Sequence, residues 1–141
     1  MNGYPLDLDQ PFTHNQRIVH KMVTDRNPLL IITSDKVAVR DFVKAKLGAE
    51  QAEKILIPHY FVSQTGRDIP QPSWDFEFFM KANHASGYNR LVKPTDDPAE
   101  ITALAQFWLS QSFGQVFHAW AYRDIPRRIV CEKVIHDERG K

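Results

Sequence analysis

The chain has 141 residues, 43% of them hydrophobic and 25% charged, which is typical of one globular domain with a single core. Its 18 Lys and Arg against 17 Asp and Glu leave a net charge of +1, so no strong field would attract nucleic acid or an acidic membrane. The longest apolar run, residues 29–32, is too short to span a bilayer, and the single cysteine, Cys131, excludes an internal disulfide. We therefore expect a cytoplasmic protein with no membrane span and no nucleic-acid partner.

Two helices are predicted in the first third of the chain. Thr13 and Gln16 have the spacing of a capping box, and the apolar residues after them recur on one helical face, which predicts a helix over 13–24. A second amphipathic pattern predicts a helix over 35–47, with Ser34 as its cap.

Two basic residues of the second predicted helix, Lys36 and Arg40, lie four positions apart and so share one helical face. They fit either a solvated charged face or contacts with a substrate carboxylate. The sequence alone leaves both interpretations open.

Strand patterns follow in the middle of the chain. Branched and aromatic residues predict a strand over 55–62, either at a sheet edge or starting after Pro58. Residues 76–82 predict a second strand, which leads into an exposed, mobile loop over 83–89 and a return strand over 90–92.

A third helix and a last strand complete the pattern. Asp97 as cap and Pro98 at the first position predict a helix that runs to about Phe113, and residues 128–135 predict a strand. These elements together predict an α+β fold, with helices packed on a small, mostly antiparallel sheet. The expected core includes Phe42, Val43, Leu104 and Trp108.

The hairpin after residues 76–82 carries groups that can bind phosphate. Lys81 supplies a compact positive charge, Ser86 a hydroxyl, and Gly87 lets backbone N–H groups come close to an anion. The same residues occur in many solvated hairpins, so this pattern alone also fits a purely structural role. The six histidines never show zinc-type spacing, and no metal site is predicted.

Five segments form an ordered pattern along the chain: PFTHNQRIVHKM, DRNPLL, SDKVAVRDFVKAKLG, FFMKANHASG and RDIPRRIVCEKVI. This pattern resembles the TupA-like (teichuronopeptide-biosynthesis) family of ATP-grasp proteins, over about residues 11–141. The resemblance implies the N-terminal portion of an ATP-grasp fold, in a single truncated domain over 1–141. A helical region over about 11–54 would precede nucleotide-binding strands and a loop over about 55–141.

The resemblance also implies a nucleotide site. Lys81 would contact the phosphates of ATP, a short loop would close over them, and Glu132 would be the acid of the adenine hinge. The loop residues are Asn83, His84, Ser86 and Gly87, the backbone of Lys133 to Ile135 would face the purine, and Asp137 or Glu138 would reach the ribose. The chain departs from the family at Ala85, where glycine is usual, and at Lys133 and Val134, where an acid and an aromatic residue are usual.

The family's magnesium ligands, an acid and a Glu-x-Asn pair, lie beyond the hinge, and this sequence shows no counterpart. The resemblance therefore implies the nucleotide-binding portion of a carboxylate–amine ligase-like protein of surface polysaccharide or polymer biosynthesis. We expect weak or vestigial ATP binding, no activity of the chain alone, and magnesium binding only with a C-terminal ATP-grasp half. The alternatives are a non-catalytic interaction module or truncated gene product, and an accessory to a polysaccharide glycosyltransferase.

Overall fold

The chain has a mixed α+β fold, as the sequence predicts. A computed structural model describes residues 6–69, 75–114 and 119–136, and these hold five α-helices and one four-stranded sheet. The helices are α1 (His14–Thr24), α2 (Leu29–Ser34), α3 (Ala38–Leu47), α4 (Ala49–Ile55) and α5 (Pro98–Ser110), with a 3₁₀ helix at Trp120–Asp124. The strands are β1 (His59–Ser63), β2 (Phe78–Ala82), β3 (Asn89–Val92) and β4 (Ile129–Lys133). Across the described residues, no helix is long and apolar enough to cross a membrane.

The sheet is antiparallel throughout, with the strand order β1-β4-β2-β3. The last strand in the sequence, β4, therefore lies between β1 and β2. β1 is an edge strand that begins after Pro58, as predicted, while the preceding residues up to Ile55 belong to α4. The register places Phe79 of β2 and His59 of β1 opposite Glu132 of β4.

The core lies between one face of the sheet and α5. Side chains alternate between the two faces of a strand, so every second residue of β2 and β4 points to this side. The expectation for Trp108 and Leu104 is confirmed, since Trp108 is buried in the core and Leu104 packs against it. The expectation for Phe42 and Val43 is wrong: both are only half-buried and lie outside this cluster, because α3 packs with α2 and α4 instead. The buried residues are Ile69, Phe78, Met80, Ala82, Ala85, Val92, Ile101, Ala105, Trp108, Ile129 and Cys131.

Local caps explain where the predicted helices begin. The capping box of α1 is present, with the Gln16 N–H 3.2 Å from Thr13 Oγ1 and the Thr13 N–H 2.9 Å from Gln16 Oε1. α3 begins at Ala38 rather than at 35, because the Asp35 carboxylate accepts the Val37 N–H at 2.8 Å and so turns the chain first. Ser34 is not its cap, since it ends α2.

α5 begins as predicted and ends earlier. The Asp97 carboxylate accepts the Ala99 N–H at 2.9 Å, and Pro98 occupies the first turn. The helix stops at Ser110 rather than near 113. Its end is fixed by Arg127, whose guanidinium donates to the carbonyl oxygens of Leu109 and Ser110 at 3.0 and 3.3 Å.

The loop that follows β1 packs onto α5 through a glycine. Gly66 has a left-handed φ of +68°, and its N–H donates to Ser63 Oγ at 2.7 Å. A Cβ at this position would lie 3.1 Å from Ala105 Cβ and 3.2 Å from the Gln106 backbone nitrogen. A side chain here would adopt a strained backbone conformation and push its neighbours by a few tenths of an ångström, so glycine suits this close approach.

Candidate functional site

The face of the sheet opposite the core carries charged side chains. Burial of Phe78, Met80 and Ala82 on the core side turns Lys81 toward the other face of β2, because side chains alternate along a strand. Glu132 of the neighbouring strand β4 reaches the same face, and its Oε2 lies 2.5 Å from Lys81 Nζ.

Glu132 has two basic neighbours. Its Oε1 lies 3.4 Å from His59 Nε2, and Oε2 accepts a hydrogen bond from Lys81. Burial opposes ionisation of this carboxyl, but the hydrogen bonds and charges of His59 and Lys81 outweigh it and lower the pKa of Glu132 to about 2. The predicted hinge acid is therefore an ionised carboxylate whose oxygens are committed to β1 and β2.

The segment after β2 is held from three sides by Asn83. Its Nδ2 donates to Asp35 Oδ1 at 3.0 Å and to the Pro126 carbonyl oxygen at 2.9 Å. Its Oδ1 accepts the Arg128 N–H at 2.7 Å. The fully buried Asn83 thus ties the loop to the chain before α3 and to the entry of β4.

His84 anchors the same loop to the end of α5. Its Nε2 lies 3.2 Å from the Trp108 carbonyl oxygen, and because a carbonyl can only accept, the neutral ring carries its proton on Nε2. Burial lowers the pKa of His84, partly opposed by the carbonyl groups of Trp108 and Gln111. The prediction of an exposed loop over 83–89 is therefore wrong for its first part, since residues 83–85 are buried by these contacts.

A cavity of about 300 Å³ opens where the loop becomes exposed, and we call it the lysine cavity. Lys81 and Lys36 face it, and the exposed turn at Ser86 and Gly87 forms part of its wall. Gly87 has a φ of +81° with open space where a Cβ would be, so its backbone is accessible to a ligand. The lining residues are Lys36, Lys81, Ala85, Ser86, Gly87, Tyr88, Asn89 and Tyr122.

The residues predicted to face the purine line a second cavity, of about 450 Å³. Lys133 and Ile135 are exposed here, opposite the segment that joins α4 to β1. The Lys133 N–H donates to the Pro58 carbonyl oxygen at 3.0 Å, so it is not free to meet a base. Lys133 lies three positions along β4 from Val130, the partner of Lys81, and three positions span about 10 Å of strand.

The structure thus brings Lys81, Ser86 and Gly87 together at one cavity and places Lys133 and Ile135 at another. Asn83, His84 and Glu132 hold the framework between elements. The predicted ribose contacts, Asp137 and Glu138, lie outside the described residues. Within the described ranges, no group of three His, Cys, Asp or Glu side chains is arranged to hold a metal ion.

Lys36 and Arg40 do not form a solvated charged face. Arg40 Nη1 donates to the Ile57 carbonyl oxygen at 2.7 Å, and Lys36 Nζ donates to the carbonyl oxygens of Ala82 and Ala85 at 2.9 and 2.7 Å. Sequence reasoning missed the place of Lys36 in the cavity, because 49 positions separate it from Ala85. No spacing rule connects residues so far apart.

Comparisons of the chain with known protein families, with curated proteins and with solved structures find no match.

Proposed function

We propose that this chain supplies the nucleotide-binding part of an ATP-grasp carboxylate–amine ligase-like protein of surface-polymer biosynthesis. One observation carries the proposal: the ammonium of Lys81 and the exposed turn at Ser86 and Gly87 border one cavity of about 300 Å³. An ammonium, a hydroxyl and accessible backbone N–H groups are the groups that proteins use to bind phosphate.

The residues of the lysine cavity fit the phosphates of ATP, which when bound would supply the phosphoryl group that activates a carboxylate. Lys81, Ser86 and Gly87 would hold them. A phosphate would compete with Glu132 for Lys81, and His59 would remain as the neighbour of that carboxylate. Asn83 has a different role from the one the resemblance implies, because its polar atoms are already used to fix the loop.

The purine would occupy the second cavity, where apolar residues from both walls can pack against a flat base. These residues are Ile55, Leu56, Ile57, Val134 and Ile135. A separation of about 10 Å along β4 between the two regions is one that an extended nucleotide can span. The Lys133 N–H is engaged, so apolar contact rather than this amide would hold the base.

Calorimetric titration of ATP and adenosine tests the proposal. We expect the wild type to bind ATP with a micromolar to millimolar Kd, and Lys81→Met to weaken ATP binding about tenfold or more while leaving adenosine binding unchanged. Lys93→Met, which removes an exposed lysine just after β3, is the matched control. Absence of ATP binding by the wild type, or an equal loss in both variants, would contradict the proposal.

A second candidate, a non-catalytic interaction module, is favoured by the apolar side chains that α1 and α2 leave exposed. They are Ile18, Met22, Val23, Leu29 and Ile32. Large exposed apolar patches often mark partner sites, and the partner proposed here is the C-terminal ATP-grasp half. Sedimentation of the chain with such a half from a TupA-like protein should show a complex that Ile18→Asp abolishes without changing ATP affinity. Unchanged association of Ile18→Asp would argue against this candidate.

A further inference from the structure

A third cavity, of about 230 Å³, takes no part in the proposed nucleotide site, and we call it the apolar cavity. Residues of α1, of α2 and of the 3₁₀ helix line it, and α2 packs against the 3₁₀ helix. Among its lining residues only Met22 also belongs to the exposed apolar side chains proposed as a partner surface, so the cavity is largely separate from that surface. The apolar and aromatic residues of its wall are Met22, Leu30, Ala119, Trp120, Ala121 and Tyr122.

The apolar cavity is a neighbour of the lysine cavity. Tyr122 lines both of them. At a second point, Ser34 lines the apolar cavity and Lys36 lines the lysine cavity, and residues two positions apart lie within about 7 Å of each other along a chain. A small ligand with an apolar part and a polar part can therefore occupy both cavities at once.

The cavity proposed for the purine lies elsewhere, and it shares no lining residue with the apolar cavity. It is at the end of β4, whereas Lys81 lies opposite Val130 near the start of that strand. The 3₁₀ helix comes before β4 in the chain. A nucleotide with its base at the end of β4 would therefore place its phosphates, not its base, next to the apolar cavity.

The charges around the apolar cavity favour an anionic ligand. Lys21 lines the cavity, and the guanidinium carbon of Arg26 lies 5.3 Å from the centroid of the Trp120 ring. Asp25 Oδ2 is 3.7 Å from Lys21 Nζ, and across the described parts of the chain no carboxylate lies at ion-pair distance from Arg26. Two cations beside one carboxylate attract an anion and repel a cation.

We propose that the apolar cavity binds the apolar or aromatic group of the carboxylate substrate, and that the carboxylate extends past Tyr122 into the lysine cavity, beside the terminal phosphate of ATP. A cavity of about 150 Å³ with apolar walls already holds benzene, so this one has room for a group the size of a phenyl ring. The inference rests on the proposed function, because the carboxylate it places is the one that ATP would activate. It adds the class of substrate, a carboxylic acid with one compact apolar group.

Calorimetric titration with phenylpropionate, propionate and phenylpropylamine tests both parts of this substrate. Phenylpropionate should bind about tenfold or more tighter than propionate, because its ring leaves water for the apolar cavity. Phenylpropylamine, which has the same ring and a positive charge, should bind more weakly than phenylpropionate. Equal affinity for phenylpropionate and propionate would overturn the inference, and equal affinity for phenylpropionate and phenylpropylamine would refute its anionic part.

A matched pair of variants at the end of α2 locates the binding. Ser34→Leu fills part of the apolar cavity and should weaken phenylpropionate binding about tenfold or more. Thr33→Leu makes the same change at an exposed neighbour that does not line the cavity, and it should leave this affinity unchanged. Thermal unfolding checks that both variants fold. Wild-type affinity for phenylpropionate in a folded Ser34→Leu would overturn the inference.

NMR of methionine methyl groups in the wild type avoids the risk that a variant misfolds. Phenylpropionate should shift the methyl signal of Met22, because an aromatic ring in the cavity would lie beside it, and should leave that of the core residue Met80 unchanged. ATP binding with no shift of Met22 by phenylpropionate would refute the inference and leave the nucleotide proposal standing. A shift of Met22 in a chain that does not bind ATP would support the apolar cavity as a binding site and contradict the nucleotide function.

Discussion

Glu132 is a carboxylate held in its ionised form inside a sheet. Burial alone would raise its pKa, and the two basic neighbours on adjacent strands reverse that effect. Removing one partner leaves a poorly solvated charge behind, which costs more than the pair itself contributes. Substitution of Lys81 therefore tests binding only if the stability of the variant is measured beside it.

Acid should destabilise the fold through Glu132. Its pKa is lowered from 4.5 to about 2, so its contribution is fully present above pH 4.5 and is lost as the pH falls toward 2. At about 1.4 kcal/mol per pKa unit, the loss is about 3 kcal/mol. Urea unfolding at pH 7, 4 and 2.5 should show this fall in the free energy of unfolding in the wild type and in Glu53→Gln, an exposed control on α4. An equal fall with pH in Glu132→Gln would show that Glu132 is not the group responsible.

Cys131 should be inert in the native protein. Burial raises the pKa of this thiol from 9.0 to about 12, so the thiolate that attacks labelling reagents is scarce and enclosed. At pH 8 we expect a disulfide reagent to label Cys131 of the native chain only as fast as the fold opens and exposes it. The same reagent should label the urea-unfolded chain at once. Stability should also fall between pH 9 and 12, because only the unfolded thiol ionises there. Rapid labelling of the folded chain would exclude this burial.

At the scale of elements, the loop after β1 and the turn at Gly87 provide a matched pair of glycines. Both have positive φ, which costs an alanine about 1 kcal/mol. Only Gly66 also faces a neighbour, the α5 backbone and Ala105, so Gly66→Ala should cost about 1–3 kcal/mol more. Denaturant unfolding of Gly66→Ala and Gly87→Ala measures the difference. Equal losses would show that the loop does not pack on α5 as described.

The elements that the sequence predicts well are those fixed by neighbouring residues. The capping box at Thr13 and the cap and proline that begin α5 are local, and both helices form where expected. α2 is only six residues long, too short for its helical pattern to stand out in the sequence. The Asn27 side chain accepts the Leu29 N–H at its start. α4 follows α3 directly at Gly48 and was not predicted, and its last residue, Ile55, falls at the start of the predicted strand, which begins instead at His59.

The residues of the candidate site also fall into two groups, those brought together by a local hairpin and those brought together only by the whole fold. Lys81, Ser86 and Gly87 are close in sequence, so one hairpin brings them together, and their grouping could be predicted. The burial of residues 83–85 depends instead on Asp35, Trp108 and the chain at 126–128. These contacts join distant segments, and only the folded sheet brings them together.

At the scale of the whole molecule, the sheet depends on its central strand. Without β4, β1 loses the strand it pairs with, and β2 and β3 remain as a two-stranded hairpin, which is marginally stable in water. A chain ending at residue 128 should therefore show no protected amides in β1 and no cooperative unfolding by circular dichroism. A chain ending at residue 136 is the control and should fold. Cooperative unfolding of the shorter chain would show that the core forms without β4.

The position of β4 also constrains how the protein is made. A ribosome adds about 5–20 residues per second, so β1 is complete several seconds before the strand that pairs with it has been synthesised. Throughout that interval the apolar faces of β1 and β2 have no sheet to join and are open to association with other nascent chains. We expect the sheet to assemble only after β4 has left the ribosome, and chaperones that bind emerging apolar strands to determine how much of the chain reaches the folded state.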